Sequence, residues 1–299
     1  MKTLLCLNSS SDSTFPSLED LQKAASGLEV ICVEGRSAAH FLLQTNPDIV
    51  LFLTTELDPS LLIKRNKFVP VLLFSSLSFS KIASIYHGCN FHFLLHIVPS
   101  VHPYSAFLLP SLQKLLSRTE LDLQLISLQK MELASFVLTE TNQDHICNEI
   151  EKLSDSILLS RFKSKIQAAI AEEFIMNATK NARPIYQIKN QTQPPKISLT
   201  CRYNSEVFLL SIQDPFGSLS PYVFLEYAMK QPDKNGGHFI ELKANGAGLG
   251  FYKIIHSCHG LIGCVRENVQ TEITAIFFLR HPLLKTEKQP RILQCFSYK

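Results

Sequence analysis

Five short apolar runs near the start of the chain constrain its fold more than any other feature. The runs are TLLCLN at 3–8, LEVICVE at 28–34, DIVLFLT at 48–54, VPVLLFSS at 69–76 and FHFLLHI at 91–97. Near-continuous runs of this kind are typical of strands buried on both faces of a parallel sheet. Helix-like segments separate the runs, and they are SLEDLQKAA at 17–25, SAAHFLLQ at 37–44 and a segment at 106–118. The alternation predicts an α/β domain with right-handed crossovers over residues 1–118.

The second half of the chain has an α+β pattern. Helical periodicity dominates 145–182, and ISLTCRY and EVFLLSIQ, separated by Asn204 and Ser205, predict a hairpin. The other predicted elements are a loop at 183–196, helices at 221–230 and 248–258, and strands at 260–267 and 272–280. We therefore expect an α+β sandwich over 145–283, with a mixed sheet and helices on one face. Residues 119–144 are read as a linker or helical connector.

Composition and charge narrow the class of protein. The chain has 299 residues, of which 45% are hydrophobic, so it can fill two domain cores. No apolar run approaches the roughly 18 residues of a membrane span. The net charge of +3 equals that of the tail 284–299, which has four basic residues and one acidic residue. The body is therefore neutral, which argues against a nucleic-acid partner. We expect a solvated, partly disordered tail.

Cysteine usage and the first residues favour a cytoplasmic protein. The eight cysteines are scattered without a CxxC pair, as expected of reduced thiols. The start MKTLLCLN has an apolar run shorter than that of a secretory signal, and we interpret it as a first strand. His256, Cys258, His259 and Cys264 lie close in sequence but lack zinc-ligand spacing, so we interpret them as core or surface residues. Phe277 and Phe278 are expected in the sheet core.

A polar pair on an apolar helix raises the first functional question. In AEEFIMNATKNA, residues 171–182, Glu173 and Asn177 lie one turn apart and share a helix face. A carboxylate and an amide facing a core without partners would be costly. Either this face is solvated, or it lines a site.

Two further motifs suggest which site this is. DPFG, Asp214–Gly217, follows a strand, and NGAGLG at 245–250 opens a helix. Asp214 can accept a hydrogen bond from a ligand's amino group, and Gly217 lets backbone approach a ligand closely. The glycines before the helix leave N–H groups that suit a phosphate. The Asn177 oxygen suits Mg²⁺, and a nearby carboxylate can deprotonate a nucleophile. Together the motifs predict a purine-nucleotide–Mg²⁺ pocket.

In this order the three motifs resemble the GHKL ATP-binding module of sensor histidine kinases, anti-sigma-factor serine kinases and gyrase-type topoisomerases. EFIMNATK resembles its N box, DPFG its first glycine box and GAGLGF its second. The resemblance implies ATP and Mg²⁺ as cofactors, with Asn177 binding the metal and Asp214 accepting from the adenine amino group.

The same resemblance assigns the remaining candidate residues. Glu173 matches the general base, Lys180 a phosphate-contacting lysine and Thr271 a threonine near the adenine. The residues that would shape the lid hinge and the phosphate site are Gly246, Gly248, Leu249 and Gly250, and Gly217 of the first glycine box is a further cofactor-binding residue. The short segment between Gly217 and Gly246 and the lack of a transducer domain disfavour topoisomerases.

The sequence lacks features of a histidine kinase, and this indicates which branch of the family it resembles. His145 is the one candidate phosphoacceptor on a helix before the N box, and it lacks the adjacent acid and the proline of a histidine kinase. The match is nearer to anti-sigma serine kinases. It implies a bacterial signalling regulator, an ATP-dependent kinase or ATPase that phosphorylates or sequesters a protein partner. Two alternative functions remain open: a non-catalytic nucleotide-gated docking protein and a diverged histidine kinase. Formation of a homodimer also remains open.

The first domain resembles a degenerate, flavodoxin-like response-regulator receiver. Asn8 and Ser9 stand where a receiver has its acidic pair, and Leu53 stands where it has its phosphoacceptor aspartate. Ser75 or Ser76 matches the hydroxyl after the fourth strand. The resemblance implies a pseudo-receiver without phosphorylation chemistry that is used for docking or dimerisation.

Overall fold

The chain divides into two compact units, Met1–Gln129 with Arg291–Gln294 and Lys130–Pro290 with Cys295–Lys299. The computed structural model describes residues 2–8, 28–34, 49–52, 71–73, 93–97, 131–139, 141–158, 161–182, 196–205, 207–219, 249–279 and 292–298, together with residues 19 and 22. The predicted helices at 37–44, 106–118 and 221–230 and the predicted loop at 183–195 lie outside the described residues. So do Ser9, Leu53, Ser75 and Ser76 of the receiver comparison.

All five strands predicted in the first unit are present. They are β1 (Lys2–Asn8), β2 (Leu28–Glu34), β3 (Ile49–Phe52), β4 (Val71–Leu73) and β5 (Phe93–Ile97). Four of them form a sheet in the order β2-β1-β3-β4, and each pair is parallel. Cys6 lies between Cys32 and Leu51 in the register. The predicted parallel sheet is confirmed for β1 to β4, whose apolar runs have the length and composition of buried strands.

A helical pair begins the described part of the second unit. The helices α1 (Gln143–Leu158) and α2 (Arg161–Met176) pack against each other, and a π-helical segment, Asn177–Asn181, continues α2. The helical prediction for 145–182 is confirmed, and the structure divides this segment into two helices. Ile170, Phe174 and Ala178 recur every four residues and are buried, which gives α2 its apolar face. None of the described helices is both long and apolar enough to span a membrane.

Five antiparallel strands form the sheet of the second unit. They are β6 (Glu132–Leu138), β7 (Ile197–Tyr203), β8 (Val207–Asp214), β9 (Gly260–Arg266) and β10 (Gln270–Phe278). Their order is β9-β10-β8-β7-β6. The β7–β8 hairpin is confirmed, and its turn is closed by Asn204, whose side-chain oxygen accepts from the Val207 N–H at 2.9 Å. The helix α3 (Leu249–Ser257) and the strand β11 (Ile292–Tyr298) complete the described elements.

The hydrophobic core lies at the centre of this sheet. The helix α2 packs against β8 and α3. The strands β8, β9 and β10 bury side chains on both faces, so the centre of the sheet is covered on both sides. Phe174, Phe208 and Phe216 are the largest fully buried side chains of the described chain. Phe277 and Phe278 are buried, as predicted, and the rings of Phe208 and Phe277 meet edge to face at 6.1 Å.

One expectation about this unit was wrong: the supposed linker 119–144 contains β6, which pairs with β7, and the start of α1. The sheet was expected to be mixed, and the four pairings that join the five strands β6 to β10 are antiparallel. In the tail, expected to be solvated and partly disordered, residues 292–298 form β11. This strand follows from a local pattern, because the charges at 285–291 and Lys299 flank an uncharged segment, ILQCFSY.

Candidate functional site

The helices α2 and α3, which contain the predicted N-box and second glycine-box motifs, meet at Glu173. A Cβ atom at Gly250 would overlap the Glu173 carboxylate. Because Gly250 has no side chain, it leaves on α3 the space that this carboxylate fills. Lys253, one turn further along α3, pairs with Glu173, its Nζ lying 3.2 Å from Oε1. Glu173 is 20% exposed, so its carboxylate can be reached from solvent. The structure therefore brings together two motifs that lie more than 70 residues apart in sequence.

Asn177 lies where α2 changes its geometry. The π-helical segment begins at Asn177, and the Asn177 carbonyl accepts from the Ala182 N–H at 3.0 Å. Thr179 donates its hydroxyl to the Ile175 carbonyl at 2.7 Å, which uses its side chain within the helix. π-Helical segments are rare in proteins. Those that occur often lie at functional sites, where the wider turn changes the direction of the side chains. Asn177 is half-buried, between the buried face of α2 and solvent.

Lys180, the candidate phosphate contact, lies in the π-helical segment. Its side chain is exposed, and its Nζ lies 3.6 Å from the Met176 sulfur. Met176 is itself exposed. An exposed lysine with such a weak contact can reorient at little cost, so the structure leaves its predicted role as a phosphate contact untested.

The candidate adenine acceptor is a buried carboxylate. Asp214 ends β8, is 6% exposed, and accepts a hydrogen bond from the Phe216 N–H through Oδ1 at 2.9 Å. Burial raises the pKa of Asp214 from its ordinary value of 3.8 to about 6, and the Phe216 N–H opposes the rise. A buried carboxylate without a cation among the described residues suits a ligand that supplies hydrogen-bond donors.

Thr271 lies directly opposite Asp214, in the register of β8 and β10. Its buried hydroxyl makes no hydrogen bond of ordinary geometry within the described parts of the chain. It is nevertheless near enough to the carboxylate to help hold down the pKa of Asp214. The pair thus presents an acceptor and a donor-acceptor group side by side, a combination that can bind the polar edge of a purine.

Gly217 lies against the backbone of a neighbouring turn. Its φ is +60°, and a Cβ there would overlap the Arg266 carbonyl oxygen and lie 2.6 Å from the Val269 nitrogen. The Asn268 N–H also donates to the Gly217 carbonyl at 3.2 Å. The backbone that approaches Gly217 closely is therefore the β9–β10 turn of this chain. This contact holds the DPFG turn beside the strand pair that carries Asp214 and Thr271.

The described site residues form two groups. Glu173 and Gly250 are in contact, and Asp214 and Thr271 face each other. The strand that ends at Asp214 packs against both α2 and the segment that begins at Asn177, which connects the groups through the fold. Leu249 is the first residue of α3. Gly246 and Gly248 lie outside the described residues.

Two residues next to the candidate site are not part of the three motifs. Lys253 lies within the predicted helix 248–258, and Asn268 lies between the predicted strands 260–267 and 272–280. The signal for Lys253 was its spacing of three residues from Gly250, which places both on one helix face. No comparable signal marks Asn268, except that asparagine tolerates its φ of 61°.

Cys258, His259 and Cys264, near the end of α3, belong to the core. The Nδ1 of His259 accepts from the Phe278 N–H at 3.1 Å, and its ring lies 5.4 Å from that of Phe278. Burial raises the pKa of the Cys258 thiol to about 12, and Cys264 is also buried. Across the described ranges, no group of three His, Cys, Asp or Glu side chains is arranged to hold a metal.

His145, the histidine-kinase candidate, lies in the first turn of α1 and is exposed. Comparison with known proteins adds no family to this description. No protein-family model matches the chain, and no curated protein matches it significantly. Any functional assignment therefore has to come from the two groups of residues around α2, α3 and the end of β8.

Proposed function

We propose that this chain is a signalling regulator that binds ATP·Mg²⁺ through a GHKL-type domain, which runs from about Lys130 to Pro290. One observation carries the proposal: the Glu173 carboxylate of the N-box helix fills the space left by Gly250 of the glycine-box helix. Chance occurrences of a polar helix pair and of a glycine string would not be expected to meet at one point. The buried Asp214–Thr271 pair supports it as the adenine end of the pocket.

The residues fit the nucleotide in their chemistry. An ionised Asp214 accepts from an exocyclic amino group, and Thr271 can complement a ring nitrogen. Mg²⁺ is usually held by one or two protein oxygens together with phosphates and water, so Asn177 without a metal cluster is compatible with it. Bound ATP·Mg²⁺ would supply a transferable phosphoryl group. The chain itself would orient a nucleophile through Glu173 and exclude water with the glycine-rich segment before Gly250.

The parallel sheet order β2-β1-β3-β4 supports a flavodoxin-like first domain. We propose that it is the pseudo-receiver of the sequence analysis, with Asn8 at the end of β1 in place of an acidic residue. A domain without the acidic pair would serve as a docking module rather than as a phosphoacceptor. The partner of the whole protein would then be another signalling protein.

Binding is the first test of the proposal. Calorimetry on the full chain should detect ATP only when Mg²⁺ is present, and Asn177→Ala should weaken binding by about 10–100-fold, the range for perturbed metal ligation. Asn148→Ala is the matched control, because Asn148 is exposed on α1. ATP affinity that is the same in Asn177→Ala and wild type, or no heat with the wild type, would refute the proposed site.

Catalysis is a separate question with its own variant. If Glu173 is the general base, Glu173→Gln should lower ATP turnover by about 100-fold or more, while the Kd for ATP·Mg²⁺ stays within a few-fold. Glu172→Gln controls for loss of a carboxylate, because Glu172 is the exposed neighbour on the same helix. A wild type that binds ATP but never turns it over, with any partner, would favour the nucleotide-gated docking protein.

A further inference from the structure

We propose that Lys253 is a positioning residue of the nucleotide site: its ammonium holds the Glu173 carboxylate over Gly250 and offsets the carboxylate's charge where a triphosphate binds. The inference rests on the proposed function. It adds a residue that the three motifs do not include, since Lys253 lies beyond the glycine string, on the second turn of α3.

The geometry shows a specific contact between two helices. The Lys253 Nζ reaches across from α3 to Glu173 Oε1 at 3.2 Å, and Glu173 belongs to α2. The Cβ position of Gly250 is occupied by Glu173 Oε2, so one carboxylate oxygen is directed at the glycine and the other at the lysine. Two contacts of this kind define both the position and the rotation of the carboxylate.

Stability is a poor explanation for this pair. Lys253 is 67% exposed, and ion pairs between exposed side chains contribute little to folding because solvent screens them and side-chain freedom is lost. The chain has such a pair elsewhere: Lys152 and Glu149 on α1, at 2.8 Å. What distinguishes the Lys253 pair is its location against Gly250.

Charge gives the pair its function. A triphosphate bound at the glycine-rich start of α3 would lie close to the Glu173 carboxylate, and the two anions would repel each other. The Lys253 ammonium leaves the pair neutral, so the carboxylate can stay at the site without lowering the affinity for the nucleotide. Lys253 therefore acts through Glu173, and this separates it from a lysine that contacts the phosphates directly.

A double-mutant cycle tests the inference on the full chain, with the Kd for ATP·Mg²⁺ as the measurement. Lys253→Met should weaken binding by about threefold to tenfold, a modest electrostatic effect at a partly exposed site. Lys253→Arg should restore affinity. In a Glu173→Gln background, Lys253→Met should change the Kd by less than about twofold, because no charge is left to offset. Lys152→Met is the matched control and should leave the Kd unchanged.

Each contrary outcome has its own meaning. Equal weakening by Lys253→Met in both backgrounds would show direct contact with phosphate and overturn the proposal. An unchanged Kd in Lys253→Met would overturn it as well, while the proposed function would stand on wild-type binding. A wild type that does not bind ATP·Mg²⁺ would remove the proposed function and this inference with it. Circular dichroism and thermal unfolding of every variant would show that losses of affinity do not come from misfolding.

Discussion

Gly217→Ala should lower the free energy of unfolding by about 3 kcal/mol, a substantial share of the roughly 5–15 kcal/mol by which native proteins are stable. Two costs combine at this position. The φ of +60° is left-handed, and it costs an L-residue with a Cβ about 1–2 kcal/mol. The added methyl group would also overlap the Arg266 carbonyl oxygen and crowd the Val269 nitrogen. Because these are backbone atoms of a hydrogen-bonded turn, they cannot move aside as a flexible side chain would, and overpacking adds about 1–3 kcal/mol.

Denaturant unfolding of the full chain measures this loss, and Asn268 provides a matched control. Asn268 has nearly the same φ, 61°, but already has a side chain and is exposed. Asn268→Ala should therefore cost only the conformational term, about 1 kcal/mol. A Gly217→Ala variant no less stable than Asn268→Ala would show that the turn can rearrange, and that the contact with the β9–β10 turn does not fix the DPFG segment.

The regular elements near the site could be predicted because each follows from a local pattern. The helix α2 has an apolar repeat every four residues, and β8 and β10 are apolar runs bounded by turn residues. The strand β6 escaped prediction because it lies last in the described strand order. Its exposed positions include Leu133 and Val137, which are 63% and 48% exposed, so its sequence lacks the apolar–polar alternation of a half-buried strand although its burial alternates. Pairing with β7, whose partner residues are 59 to 71 positions further along the chain, makes it a strand.

The candidate site shows the same division between local and long-range information. Residue types at Glu173, Asn177 and Asp214 could be read from the sequence because each motif is local. That Glu173 fills the space above Gly250, and that Lys253 pairs with it, depends on how α2 packs on α3. Gly217 is a second example, because the backbone that lies close to it belongs to the β9–β10 turn. A glycine requirement can be read from a sequence, but the atoms that approach the glycine cannot.

The last prediction concerns Asp214, where stability and nucleotide binding should change in opposite directions. Burial raises the pKa of this carboxyl from 3.8 to about 6. Between pH 3.8 and about 6 the folded chain keeps a proton that the unfolded chain has lost. The contribution of Asp214 to stability is therefore complete below pH 3.8 and is lost as pH rises through about 6. At pH 7.5 this pKa difference lowers the free energy of unfolding by about 3 kcal/mol. Asp214→Asn cannot ionise, and its oxygen can still accept from the Phe216 N–H.

Asp214→Asn should therefore unfold at a higher denaturant concentration than wild type at pH 7.5, and the two proteins should converge near pH 4. ATP·Mg²⁺ binding should weaken by about 100-fold, because the adenine amino group would lose a charged acceptor in a buried site. Asp144→Asn, at an exposed position on α1, should alter neither property. A variant that loses stability at pH 7.5 would contradict the buried, ionised Asp214. A variant that gains stability and binds ATP as tightly as wild type would move the adenine away from Asp214. Both changes are expected if the ionised Asp214 carboxylate destabilises the fold and accepts a hydrogen bond from the amino group of the ligand.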